Sequence, residues 1–398
     1  MDFSDTPTEA AFRADVRAFL AANAALKSSG APRPDSLEAS RAWQATKARA
    51  GFAGLTWPKE WGGQGRSAIE QVIYAQEEAQ YVTPPDVFAI GLGMCVPTLC
   101  VYGGQAQRDR FAPPALRGEE IWCQLFSEPA AGSDVAGLRT RAVRDGDDWV
   151  INGQKVWTSG AQFADYGIIV TRSDPNVPKH KGLTFFFLDM RSPGIEVRPI
   201  RQMSGGSSFN EVYFTDVRVP DAQRLGAVGD GWRVSLTTLM NERLAVGDAP
   251  APDFKEIFEF ARTIDGADGP AIRDGAVRER LADWYVQAQG LKYTKFRTMT
   301  ALSRGQTAGP EASIAKLVSA SKLQDIASFG VDLMGAAGAA DHPMGRQFQD
   351  AFLTSPGLRI AGGTDEILRN IIAERVLGLP ADVRVDKEAA FRDLPVGR

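Results

Sequence analysis

Trp122–Asp134 reads WCQLFSEPAAGSD, and the fold turns on this stretch. An apolar run enters a Ser127-Glu128-Pro129 turn; Ala130, Ala131 and Gly132 then leave the backbone bare, and Ser133 and Asp134 follow. On its N-terminal side the apolar residues recur at helical spacing in EAAFRADVRAFLAANAAL and SLEASRAWQATKARAGFAG. WPKEWGGQG (Trp57–Gly65) interrupts that pattern and SAIEQVIYAQEEAQY resumes it. On its C-terminal side come short β-branched and aromatic runs bounded by Gly, Pro, Asn and Asp: DDWVINGQKVWTSG, DYGIIVTR, GLTFFFLDM, GIEVRPIR and NEVYFTDVRVP. Within the first of these, INGQKVWTSGA (Ile151–Ala161) reads as strand, turn, strand. After Gly231 helical spacing returns in GWRVSLTTLMNERLAVG, VRERLADWYVQAQGLKYTKFRTMTALS, EASIAKLVSASKLQDIASFGVDLMG and TDEILRNIIAERVLGLP. The order predicts an α+β chain, with a β domain over about 121–231 set between helical domains over 1–120 and 232–398.

Composition narrows the function. The chain has 398 residues, 44% hydrophobic and 24% charged, ample for a large core in two or three domains. A net charge of −4 without a basic block argues against nucleic acid as a partner. MDFSDTPTEAAFRADVRAFL is acidic and amphipathic, unlike a signal peptide, and no apolar run reaches the roughly 18 residues of a membrane span. The expected location is therefore cytoplasmic, with no integral membrane contact. Cys95, Cys100 and Cys123 lack C-x-x-C spacing and read as small buried hydrophobes. His180, in the polar NVPKHKGL loop, and His342, in a DHPMG turn, are the only histidines. Two histidines in such places give a histidine-rich metal site or a Ser-His-Asp triad little material, so no metal is expected. Acid–base work falls to a carboxylate or a cofactor.

Three loops invite a ligand. GQGRSA (Gly63–Ala68) matches a relaxed dinucleotide fingerprint, but no strand precedes it, so it reads as a Gly-rich turn. SEPAAGSD offers bare N–H groups and hydroxyls to a planar, acceptor-rich ligand; a capped surface turn fits the same residues. KVWTSGA (Lys155–Ala161) ends a strand in an aromatic and two hydroxyls; taken alone, Trp157 reads as a core residue. RIAGGTDE (Arg359–Glu366) places three minimal side chains before a hydroxyl and two carboxylates, so that something can approach the backbone closely.

Taken together, SEPAAGSD, INGQKVWTSGA and AGGTDEILRNIIAERVLG resemble the acyl-CoA dehydrogenase family, in its order and at comparable spacing, from WPKEWGGQG to RVLGLP. The resemblance implies a middle antiparallel β-barrel or sandwich domain, a C-terminal four-helix bundle, bound FAD and an acyl-CoA substrate. It places Phe126, Ser127, Gly132 and Ser133 at the flavin or near the thioester. Trp157 and Ser159 match positions that cover a ring face and bond its N5/O4 edge, and Thr364 and Glu366 match contacts to the ribityl and phosphate region. Ser133, Arg243 and Gly362 are implied on the substrate side.

The implied chemistry removes a proton from Cα and a hydride from Cβ. A base must then face the flavin from across the substrate, desolvated enough to raise its pKa. Many family members place a Glu directly before the late Gly-Thr; here that residue is Gly362. The isovaleryl- and long-chain-specific members carry the base in an ERL segment instead, and Glu242 in LTTLMNERLAVG matches it. Leu236, Leu239, Met240, Leu244 and Val246 are expected to surround its carboxylate with apolar groups. A solvated or Arg243-paired helix glutamate is the alternative.

One departure concerns assembly. Homotetrameric members carry R-x-x-F-G and later Q-x-x-G-G segments that clamp FAD across subunits. Here Arg262 keeps the arginine, but Asp265 and Asp332 stand where Phe and Gln are expected. A carboxylate near a pyrophosphate is unfavourable, so either a homo-oligomer (dimer or tetramer) builds the clamp differently or a distinct subunit supplies it, as in heteromeric enzymes acting on steroid side chains. An electron-transfer flavoprotein is the implied acceptor. Two rival functions are an oxygen-using flavoenzyme of the same fold and a non-catalytic subunit of a heteromer.

Overall fold

The computed structural model describes residues 5–245, 252–266, 269–303, 309–310, 312–340, 345–383 and 386–394, with the side chains of 241–245, 299, 302–303 and 312 left out. The chain forms two compact units, one of residues 1–201, 207–246 and 383–398 and one of 202–206 and 247–382.

The first unit opens with helix α1 (Pro7–Asn23), started by a Thr6/Glu9 capping box with Pro7 in the first turn. Phe12, Val16 and Leu20, four residues apart, form its buried stripe. They pack on Leu55, Ile73 and Tyr74, the last two from α3 (Ala68–Glu78), which follows α2 (Leu37–Arg49). A short antiparallel pair, β1 (Ala25–Leu26) with β2 (Tyr81–Val82), ties this layer together. GQGRSA is a turn behind the 3-10 turn Lys59–Trp61, and Ser67 caps α3, so no strand leads into it. A π-helical turn, Gly91–Cys95, runs into α4 (Val96–Tyr102), and α5 (Gln105–Leu116) follows.

Eight strands come next: β3 (Trp122–Leu125), β4 (Arg141–Asp145), β5 (Asp148–Ser159), β6 (Tyr166–Arg172), β7 (Leu183–Asp189), β8 (Ile195–Ile200), β9 (Phe209–Pro220) and β10 (Arg224–Leu225). Their order in the sheet is β10-β7-β6-β4-β5-β9-β8. Pairing is antiparallel except for β3 on β6 and a single β4–β6 partnership, which are parallel. The continuous apolar runs of β6 and β7 have a simple cause: both faces are buried. Ile168, Val170, Phe185 and Phe187 face a helical core with Leu99, Phe111 and Trp122, while Ile169, Phe186 and Leu188 face Trp149, Val212 and Phe214.

The turn expected inside Ile151–Ala161 is absent. β5 runs unbroken through Asn152-Gly153, and the hairpin lies one step earlier, where Asp145 pairs with Asp148 around Gly146. Asn152-Gly153 forms a bulge against β9. Asn152 Nδ2 donates to Asp216 Oδ1 at 3.0 Å and the Asp216 N–H returns to Asn152 Oδ1 at 3.0 Å. Gly153 has φ 151°, and a Cβ there would stand 2.5 Å from Thr140 Oγ1. Cross-strand bonding and close backbone approach have taken the signal that usually marks a hairpin.

Helix α6 (Gly231–Ala245) belongs to this unit and sends Val234 into the helical core with Trp232 and Leu239 against it. The second unit holds α7 (Phe254–Thr263), α8 (Gly275–Ser303), α9 (Ala312–Leu333), α10 (Arg346–Leu358) and α11 (Asp365–Ile371). Its core joins Ile257, Phe260, Leu281, Trp284, Ile326 and Phe348.

Candidate active site

The SEPAAGSD loop leaves β3 with Phe126 buried and is pinned by one acid–base pair. Lys155, on β5 and fully buried, donates to Glu128 Oε1 at 2.9 Å and to the Phe126 carbonyl at 3.0 Å. Glu128 also accepts the backbone N–H groups of Arg139 at 2.6 Å and Thr140 at 2.9 Å. Burial pushes the Glu128 carboxyl upward, but Lys155 and these donors outweigh it and hold the group below the usual carboxylate range. Burial likewise draws Lys155 below its ordinary value, partly offset by Glu128. From this anchor the loop projects Gly132 and Ser133 to the surface, and a Cβ on Gly132 would meet nothing within 4 Å. Ser127, half-buried, accepts the Val156 N–H at 2.9 Å, so loop and strand run together up to Trp157.

Trp157 is not a core residue. It is 58% exposed, at φ 60°, where β5 and β9 shift register between Lys155 and Thr158. Val156 and Thr158 on either side of it are buried, so Trp157 stands on the opposite, open face of the strand, next to the bulge. Its indole meets Phe209 edge-on at 6.2 Å. Ser159 ends the strand, half-buried. Beside them Thr158 Oγ1 and Asn210 Oδ1 are buried with no hydrogen-bond partner among the described residues. A large uncovered ring and a half-buried hydroxyl thus stand at the end of β5, with two buried polar oxygens unused on β5 and β9 beside them.

Glu242 and Arg243 lie on α6, but their side chains are outside the described residues, as are those of Leu244 and Val246. The helix itself is firmly seated. Thr238 Oγ1 lies 3.0 Å from Thr98 Oγ1 of α4, and Tyr102 Oη 2.9 Å from Thr237 Oγ1. Leu239 packs on the core, whereas Leu236 and Met240 are 43% and 62% exposed, so the apolar surround expected from them is not a buried one in this chain. His180 departs from a polar loop residue: it is half-buried, with its ring 4.8 Å from Trp232 at the start of α6.

In the second unit, Gly362 and Gly363 both take left-handed backbone, φ 66° and 96°. Thr364 caps α11, accepting the Ile367 N–H at 3.3 Å. Asp365 is buried and held by Arg359 at 2.6 Å, leaving Glu366 exposed in the first turn. Lys316 Nζ donates to the Gly363 carbonyl at 2.7 Å. Asp265 and Asp332 are exposed, and Arg262 pairs with Glu259 at 3.1 Å.

The structure therefore joins Phe126 and Ser127 to β5 through Lys155 and Val156, with Gly132 and Ser133 exposed further along the same loop and Trp157 and Ser159 further along the same strand, and sets Gly362, Thr364 and Glu366 on one loop of the second unit. Sequence reasoning missed the Lys155–Glu128 pair, although a lysine two residues before an aromatic strand end and an acid in a Pro turn were both in view. Among the described residues no cluster of His, Cys, Asp and Glu could hold a metal ion, no helix is long and apolar enough to cross a membrane, and all three cysteines are free and buried.

Comparison with known proteins follows the same division. The acyl-CoA dehydrogenase N-terminal, middle and C-terminal domain models match residues 6–119, 123–217 and 229–377. Acyl-CoA dehydrogenase FadE34 of Mycobacterium tuberculosis is 41% identical over 85% of this chain and 46% of its own length, so the chain spans about half of that relative. Acyl-CoA dehydrogenase IpdE1 of Mycolicibacterium smegmatis is 38% identical over 94% of this chain and 98% of its own. The solved ChsE4-ChsE5 complex from Mycobacterium tuberculosis contains a chain 32% identical, with a TM-score of 0.80 over 96% of this chain and 100% of that one. With three consecutive domain models laid over its helices, strands and helices, this chain belongs to the acyl-CoA dehydrogenase family.

Proposed function

We propose that this protein desaturates an acyl-CoA thioester between Cα and Cβ to the trans-2-enoyl product, with Glu242 as the base and FAD as cofactor. The observation that carries the reading is the rim where β5 leaves Trp157 uncovered beside the pinned Ser133 loop. That rim fits a flavin: it offers an open aromatic face, a glycine with free space above it, and buried acceptors in want of a donor. Phe126, Ser127, Gly132, Ser133, Trp157 and Ser159 would hold the group; Thr364 and Glu366 are proposed as further contacts to it on the resemblance to the family alone. When bound, FAD supplies the acceptor for the hydride leaving Cβ.

The chain's own residues do the rest. Glu242 takes the α-proton, which is acidic enough only while donors polarise the thioester carbonyl. Three features support its choice over the RIAGGTDE carboxylates. Gly362 carries no base, Asp365 is spent on Arg359, and α6 rests on buried Val234, Ser235 and Thr238, a rigid mount for a catalytic group. Ser133, Arg243 and Gly362 are assigned to the substrate side, and electrons pass on to an electron-transfer flavoprotein. The domains assigned to this work are 1–120, 121–231 and 232–398.

A second reading has this chain as one subunit of a heteromer. Exposed carboxylates at Asp265 and Asp332 favour it, as does the heteromeric ChsE4-ChsE5 neighbour. Anaerobic titration with a panel of acyl-CoA esters tests both. Bleaching of a yellow protein is expected; retained colour with every ester contradicts dehydrogenation. Protein that is colourless alone and yellow only when co-expressed with a neighbouring homologue identifies the heteromer.

A further inference from the structure

The C-terminal segment lies past residue 377, where the family's C-terminal model stops, yet it is laid along the first unit. Phe391 N–H donates to the Val177 carbonyl at 2.9 Å and Arg392 N–H to that of Pro175 at 3.0 Å, with Ala390 bridging Pro178. Two basic side chains connect this segment to the Ser133 loop. Lys179, 8% exposed, donates to Asp386 at 2.5 Å and to Asp134 at 2.9 Å. Arg172, 4% exposed, lies 3.8 Å from the Phe391 ring centroid and donates to the carbonyls of Ala136, at 2.5 Å, and Leu138, at 3.4 Å. Lys179 and Arg172 are themselves joined, through the Lys179 carbonyl at 2.6 Å.

The loop is consequently held at two places of different origin. Its root hangs on Glu128 and Lys155, within the sheet. Its far end, Asp134–Leu138, hangs on two cations whose outer sides are covered by the tail. Removing that cover strips an aromatic lid from Arg172 and one of two carboxylates from Lys179, while leaving the root untouched.

We propose that residues 386–392 form a strap that fixes the far end of the Ser133 loop, with Lys179 and Arg172 as positioning residues. Its kinetic consequence rests on the function proposed above; its structural consequence does not.

The test uses the full chain carrying Phe391→Ala and Asp386→Asn, and separately Lys179→Met and Lys179→Arg. Residue-resolved hydrogen exchange should show the Gly137 and Leu138 amides, bonded to Asp134 and Val135 carbonyls, opening roughly tenfold more often in the double variant and in Lys179→Met. Arg139 and Thr140, held by Glu128, and the β5 amides should stay within about twofold, and Lys179→Arg should behave as the parent. In an active enzyme, KM for the acyl-CoA should rise about fivefold with kcat little changed. Unchanged exchange at Gly137 and Leu138 overturns the strap. Faster exchange with an unaltered KM overturns its positioning role. A parent protein that turns over no thioester defeats the functional reading alone, and the strap is then judged on exchange.

Discussion

Lys155 sets its ammonium 2.9 Å from Glu128 and 3.0 Å from the Phe126 carbonyl, so the strand carrying Trp157 and the loop carrying Ser133 share one buried ion pair. Truncating either partner leaves the other charged in a buried site. Glu128→Gln and Lys155→Met should each lower the unfolding free energy by about 3–5 kcal/mol. The double variant should cost much less than the sum, as denaturant titration of the four proteins will measure.

The same pair gives a pH signature. Glu128 sits below its unfolded value, so its contribution is complete above about pH 4.3 and is lost as pH falls through the lower folded value. The stability gap between the parent and Glu128→Gln should therefore be flat from pH 7 to 5 and shrink below about pH 4. A gap that widens toward acid would contradict the assignment.

Trp157 should behave as a ligand residue. With 58% of its surface exposed, Trp157→Ala should change stability by no more than about 0.5 kcal/mol. Loss of its face should weaken flavin binding by about 1 kcal/mol, or roughly fivefold in Kd, followed by flavin fluorescence on dilution.

Gly153→Ala should do the opposite. Its Cβ would fall 2.5 Å from Thr140 Oγ1 and 2.7 Å from the Thr140 Cα, at a φ that side chains rarely adopt. A loss of about 2 kcal/mol is expected, seen as a lower urea midpoint with an unchanged slope.

These residues also show what the sequence disclosed and what it withheld. The helix–strand–helix order was legible because periodicity changes from 3.6 to 2 at Trp122 and back after Gly231. The doubly buried runs IIV and FFF were legible as strands from length and β-branched or aromatic content. α7 and α10 went unseen for different reasons. FKEIFEFART carries an Asp253/Glu256 capping box and a clear apolar stripe, and should have been read. RQFQDAFLTSPGL contains Pro356, which signals a stop, yet the helix runs two residues past it.

The site was harder. Asn152-Gly153 looks the same whether it closes a hairpin or makes a bulge, and only the partner Asp216 decides between them. Trp157 sits where one extra residue enters β5 against β9, and no local pattern encodes that bulge. Lys155 and Glu128 are 27 residues apart, and their pairing follows from the sheet rather than from spacing.

The central claim is that the α-proton leaves to the carboxylate of Glu242, and anaerobic stopped-flow reduction of the bound flavin by an acyl-CoA tests it most directly. Glu242→Gln should keep flavin and bind the thioester, yet show a reduction rate lower by about 10²–10⁴-fold, because an amide cannot accept the proton. Reduction at the parental rate in that variant would contradict the account.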